Sequence, residues 1–132
     1  MMTSRTPGSE PKRSDSTMHI SAAFDSGNIE VVAVREHSAD LRIRPDAGGD
    51  HLQWFHFRVT GARDRAIELA LTNAADASYP QGWPGYRACA SYDREQWFRV
   101  ETAYEDGMLR IRHTPELDSA YYAYFAPYDH TR

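Results

Sequence analysis

Seven consecutive residues, Gln53-Trp54-Phe55-His56-Phe57-Arg58-Val59, alternate strictly between an apolar set (Phe55, Phe57, Val59) and an amphipathic set (Trp54, His56, Arg58). Successive side chains on a strand point to opposite faces, so this pattern predicts a central strand with one side buried. Aromatic and β-branched residues fit such a pleated, half-buried surface. Shorter alternating runs surround it. Residues 19–24 place Ile20, Ala22 and Phe24 on one face, and the turn Asp25-Ser26-Gly27-Asn28 leads into residues 29–34, which predicts a first hairpin. Residues 40–44 alternate again and stop at Pro45, after which the polar loop 47–50 delivers the chain to the central strand. In residues 65–73, Ile67, Leu69 and Leu71 share a side, and this segment is expected to pair antiparallel with the central strand across the 61–65 loop.

The hairpin within residues 97–113 carries its own check. A two-residue turn at Asp106-Gly107 sets Tyr104 opposite Leu109, Thr102 opposite Ile111 and Glu101 opposite Arg112. Leu109 and Ile111 then share one face with Thr102 and Tyr104, while opposite charges meet on the other. Residues 87–92 read as a strand of small side chains, and 120–126 as an aromatic last strand buried on both faces or at a seam. No window shows a convincing 3.6-residue period, and strand signals recur at short intervals. The expected fold is therefore an all-β antiparallel sandwich of about seven to nine strands, with a closed barrel as the second choice.

Composition narrows the picture. At 132 residues the chain makes one domain able to bury a core without staples. A net charge of −4 and a pI near 5.8 argue against a nucleic-acid backbone as main partner. A lone cysteine, Cys89, forbids an internal disulfide and fits a reducing, cytoplasmic setting. No apolar run approaches the roughly 20 residues of a membrane helix, and no secretory leader is visible. Residues 1–17 are rich in Ser, Thr, Pro, Arg and Lys and are expected to form a disordered tail, so that Met18 is a second candidate start.

Candidate chemistry is sparse. The irregular segment 74–86 carries Tyr79, Trp83 and Tyr86, which could form a partner surface or a sugar-stacking platform. The competing reading is a plug over the open end of the sandwich, which the usual burial of large aromatics favours. His113-Thr114-Pro115-Glu116 has the H-x-x-E spacing that supplies two zinc ligands in carboxypeptidase-type sites. A third ligand is hard to find, since only His130 follows, and the hairpin register sends His113 to the apolar face. His113 and Glu116 are accordingly read as a decoy. His19, His37, His51 and His56 form no paired ligand spacing and read as surface or satisfied residues. Cys89 reads as a buried inert thiol. No phosphate loop, G-x-S-x-G or CxxC is present.

The order Phe24-Asp25-Ser26-Gly27-Asn28, Asp40-Leu41, Gln53 through Val59, Asn73, Gly82, Tyr92, Trp97, Arg99 and Tyr124-Phe125-Ala126-Pro127-Tyr128 resembles the N-terminal domain of the cytosolic carboxypeptidases, the M14-type zinc metallocarboxypeptidases that include the tubulin deglutamylases. The resemblance covers residues 18–132, and His56 departs from it where Tyr is expected. It implies a β-sandwich that precedes the catalytic domain, packs against it and helps shape the mouth of its substrate cleft. The zinc ligands and general-base Glu of that family belong to the following domain, so this chain is expected to have no catalytic residue, no metal ligand and no activity of its own. A freestanding carbohydrate- or protein-binding module using Tyr79, Trp83 and Tyr86 is the alternative. An accessory domain on its own should expose an apolar interface, with Tyr124, Tyr128 and the Trp83 loop as expected contributors, and should self-associate.

Overall fold

The computed structural model describes residues 18–24, 27–45, 53–78 and 80–125. The expected tail, Tyr79, His51 and Tyr128 lie outside them. Ten strands form two sheets of five. The first sheet runs β1 (His19–Ser21), β4 (His56–Thr60), β10 (Ser119–Ala123), β6 (Cys89–Ser91), β7 (Phe98–Arg99). The second runs β2 (Glu30–Val34), β3 (Ser38–Arg42), β5 (Ile67–Leu71), β9 (Met108–His113), β8 (Glu101–Glu105). Apart from two single-turn 3₁₀ segments, Ala74–Asp76 and Pro80–Gly82, the described chain is strand and loop.

The core lies between the sheets and is built from the alternation that the sequence displays. Phe55, Phe57 and Val59, with Ala120 and Tyr122 of β10, face Leu41, Ile67, Leu69, Leu71, Leu109 and Ile111 of the second sheet, all buried. The β8–β9 register pairs Glu101 with Arg112, Thr102 with Ile111 and Tyr104 with Leu109, as the turn chemistry requires. Asp106 and Gly107 both take positive φ, 54° and 76°, which is the two-residue hairpin turn that Gly and Asp favour. At Val100 the chain passes from the edge strand of one sheet to that of the other, and the Val100 N–H donates to the Ala88 carbonyl at 2.9 Å.

Two expected pairings are corrected. β1 and β2 do not form a hairpin: β1 pairs with β4, β2 pairs with β3, and the intervening residues cross from one sheet to the other. The chain turns tightly where the Phe24 N–H donates to the Ala22 carbonyl at 2.9 Å, so Phe24 leaves the face that Ile20 and Ala22 share. β4 and β5 are not neighbours in a sheet either. Their apolar faces meet across the core, because β4 is already flanked by β1 and β10, and β5 by β3 and β9. The excursion through β4 returns the chain beside β3 running the same way, so β3–β5 is the one parallel pair among the described residues.

Two asparagines tie the loops to this frame. Asn73 acts as an extra strand residue toward Ile43: its Oδ1 accepts from the Ile43 N–H at 2.8 Å and its Nδ2 donates to the Ile43 carbonyl at 3.0 Å. Asn28 donates from Nδ2 to the carbonyls of Arg44 and Trp54 at 2.8 and 2.9 Å. Gly27 precedes it because a Cβ there would lie 2.2 Å from the Ala22 carbonyl oxygen. Substituting Asn73→Ala strands the N–H and C=O of Ile43 in the core and is expected to cost about 2 kcal/mol or more. Urea unfolding of the variant checks this, and an unchanged midpoint would show that Ile43 finds other partners.

Candidate functional site

The strand row opposite the core consists of His56 and Arg58 on β4, Tyr121 and Ala123 on β10, and Cys89 and Ser91 on β6. The register sets His56 beside Ala123 and Ala123 beside Cys89, with Arg58 beside Tyr121 and Tyr121 beside Ser91. In an open sandwich this row would face water. Here aromatic residues from the flanking loops cover it: the His56 ring lies 4.9 Å from Phe24, 5.8 Å from Trp54, 5.8 Å from Trp97 and 6.1 Å from Tyr121. His56 is consequently 1% exposed and is no surface histidine. The guanidinium of Arg94 lies 5.4 Å from the centre of Phe24 and 5.1 Å from that of Tyr121, while Arg58 lies 5.9 Å from Tyr121. Contacts of this kind contribute about 0.5–1 kcal/mol each at exposed sites. At one end Phe125 packs on Trp54 at 5.1 Å and remains 52% exposed.

The 74–86 segment folds inward. Trp83 is 1% exposed, and its indole N–H donates to the Ala74 carbonyl at 2.8 Å. The Tyr86 hydroxyl donates to the Tyr124 carbonyl, and the rings of Trp83, Tyr86 and Tyr124 lie 5.3–5.6 Å apart. Burial pushes the Tyr86 phenol far up, which keeps it neutral. This is the plug geometry, and Trp83 presents no face to solvent. Tyr124 belongs to the same plug, so the exposed aromatic at the end of β10 is Phe125. Alternation decides this: Tyr122 and Tyr124 turn inward, Ala123 and Phe125 outward.

His113 and Glu116 each have other partners, and His130, the remaining candidate ligand, lies outside the described residues. His113 is half-buried, its Nδ1 lies 2.8 Å from the Tyr122 hydroxyl, and its ring packs on Phe98 at 5.7 Å and Tyr92 at 6.3 Å. Glu116 is exposed, and its backbone N–H donates to the Tyr92 hydroxyl at 3.0 Å. Among the described residues no group of three or more His, Cys, Asp or Glu is placed to hold a metal. An open cleft of about 540 Å³ at this end is lined by His37, Ile67, Glu68, Glu101, Arg112 and His113. Its cation is already engaged, since Arg112 Nε donates to Glu68 at 3.0 Å and Nη1 lies 3.6 Å from Glu101. His19 and His37 are exposed, and Cys89 is buried in β6. No helix among the described residues is long and apolar enough to cross a membrane.

Reading along the sequence did not single out Phe24, Trp54, Trp97, Tyr121 and Phe125 as one cluster. The available signal was the Trp54-His56-Arg58 set, too aromatic for a solvated face. What covers it depends on loops whose approach no local pattern specifies.

Known proteins share this fold. Residues 20–125 match the family of the cytosolic carboxypeptidase N-terminal domain. An uncharacterized protein of Zymomonas mobilis is 53% identical over 116 residues, which is 88% of this chain and 30% of that protein. Two crystal structures superpose with a TM-score of 0.83. One is a Burkholderia mallei protein assigned as a carboxypeptidase, with 50% identity over 88% of this chain and 30% of its own. The other is a metallo-carboxypeptidase from Burkholderia cenocepacia, with 46% identity over 88% and 31%. The chain thus spans about 30% of the length of each of these relatives.

Burial holds the His113 imidazole below its ordinary pKa, with the nearby Glu116 opposing only in part. Its neutral form is therefore the one the fold stabilises, and the unfolded chain binds a proton more readily. Stability from this group is fully present above the unfolded value near 6.5, and is lost as pH falls from there through the depressed folded value. The urea midpoint is expected to fall between pH 7 and 5, and His113→Gln should flatten that dependence. Parallel pH profiles for the two proteins would show that His113 is not the group responsible.

Proposed function

This chain belongs to the cytosolic carboxypeptidase N-terminal domain family, and on that basis we propose that it is the accessory β-sandwich of an M14-type zinc carboxypeptidase, packing against the catalytic portion and helping shape the mouth of its substrate cleft. The observation that carries this reading is the pattern of coverage: 88% of the chain superposes on a metallo-carboxypeptidase of which it accounts for only 31%. Peptide hydrolysis then belongs to the part of the protein beyond this match. Zinc held there supplies a polarised, activated water, while this chain contributes a rigid wall. The setting that fits the family and the lone cysteine is the cytoplasm. The second reading, a freestanding carbohydrate- or protein-binding module, relied on an exposed aromatic loop, and the burial of Trp83 removes its main contact.

Three measurements test the proposal. The 132-residue chain should release no C-terminal amino acid from peptides and should retain no stoichiometric zinc after dialysis. Joined to the catalytic portion of the Burkholderia cenocepacia metallo-carboxypeptidase, it should yield an active protein with about one zinc per chain, and His113→Ala should leave that content unchanged. On its own it should associate with rising concentration in sedimentation, and the joined protein should not. Zinc bound by the chain alone and lost on His113→Ala would overturn the assignment.

A further inference from the structure

The two outer faces of the sandwich differ in kind. On the second sheet, Glu68 accepts from Arg110 Nη1 at 2.8 Å and from Arg112 Nε at 3.0 Å, with Glu105 and Glu101 3.6 Å from the same two arginines. These bonds, Arg112's foremost, hold the Glu68 carboxyl below its usual range. Burying such a network under a partner would desolvate five charged groups, a cost that Coulomb attraction among them does not reliably recover. The first sheet presents aromatic rings instead. Phe24, Trp54, Trp97 and Tyr121 are half-buried around His56, and Phe125 adds a ring 52% exposed beside Trp54.

Chain continuity suggests an occupant for this face. The family is an N-terminal domain, so the remainder of its longer relatives follows the segment matched here, and that match ends at residue 125. Phe125 sits on the aromatic face, at the far end of β10 from Ser119. A segment tethered at that point starts beside the aromatic face, where its effective concentration is raised. Aromatic anchors with an incompletely buried ring are also the side chains that dominate interface energetics.

Resting on the accessory-domain reading above, we propose that the catalytic portion docks on the outer face of the first sheet, with Phe125 as the anchor that enters an apolar recess of that portion and Trp54 and Tyr121 as the floor around it. The face of the second sheet stays in solvent.

The test uses this chain joined to the catalytic portion of the Burkholderia cenocepacia metallo-carboxypeptidase. Phe125→Glu should split one thermal transition into two and speed tryptic cleavage at the junction about tenfold, the loss of roughly one buried aromatic anchor. Phe125→Ala should do the same more weakly. Val32→Glu, at an exposed position on the bulged edge strand β2 of the second sheet, should change neither readout. In the 132-residue chain alone, Phe125→Glu should leave the melting temperature unchanged, which separates lost docking from lost folding. If Val32→Glu loosens the joined protein and Phe125→Glu does not, the face is wrongly assigned while the accessory reading stands. Two independent transitions in the unsubstituted joined protein, with the chain still well folded, would overturn both.

Discussion

Burial of His56 and Ala123, on the rows of β4 and β10 that point away from the core, is the constraint from which the rest of this structure follows. Each strand carries one row into the inter-sheet core, where Phe57, Val59 and Tyr122 are buried to 1% exposure or less. Each also carries a second row on which His56 and Ala123 are equally inaccessible. Strands buried on both sides usually belong to sheets covered by helices. Here loops supply the second cover, which explains why Phe24, Trp54 and Trp97 lie outside the strands and why the loops that bear them need firm anchoring.

The residues that give the sequence its family character provide that anchoring. Asn28 holds the carbonyls of Arg44 and Trp54 together, and its own backbone exchanges hydrogen bonds with His56 at 2.8 and 3.2 Å. Gly27 permits the close approach of Ala22 that brings Phe24 over the sheet. Asn73 secures the adjoining residue, Ile43, by imitating a strand residue toward it. In this structure these side chains hold loops in place. They complete a sandwich that spans about 30% of the length of the metallo-carboxypeptidase it superposes on.

The asymmetry between the outer faces has an energetic reading. Paired charges on the second sheet are comfortable in water and expensive to cover. Aromatic rings with arginines laid over them, as Arg94 is over Phe24 and Tyr121, tolerate water but gain by leaving it. One outer face is thus dominated by paired charges and the other by aromatic rings.

The sequence by itself determined the two-residue periodicity, and with it which side chains enter the core. It also determined the β8–β9 hairpin, where turn chemistry at Asp106-Gly107 and charge pairing at Glu101–Arg112 agree on one register. Local information was enough there because the partners are separated by only a few residues. It was not enough for β1 with β2 or for β4 with β5, since alternation states which way a side chain points and not which strand lies beside it. That choice depends on long-range competition: β4 is taken by β1 and β10, and β5 by β3 and β9. The same limit hid the buried state of His56 and the outward turn of Phe125. Trp54, Trp97 and Phe24 become neighbours only once three separate loops converge on one sheet, and only the tertiary structure decides that convergence.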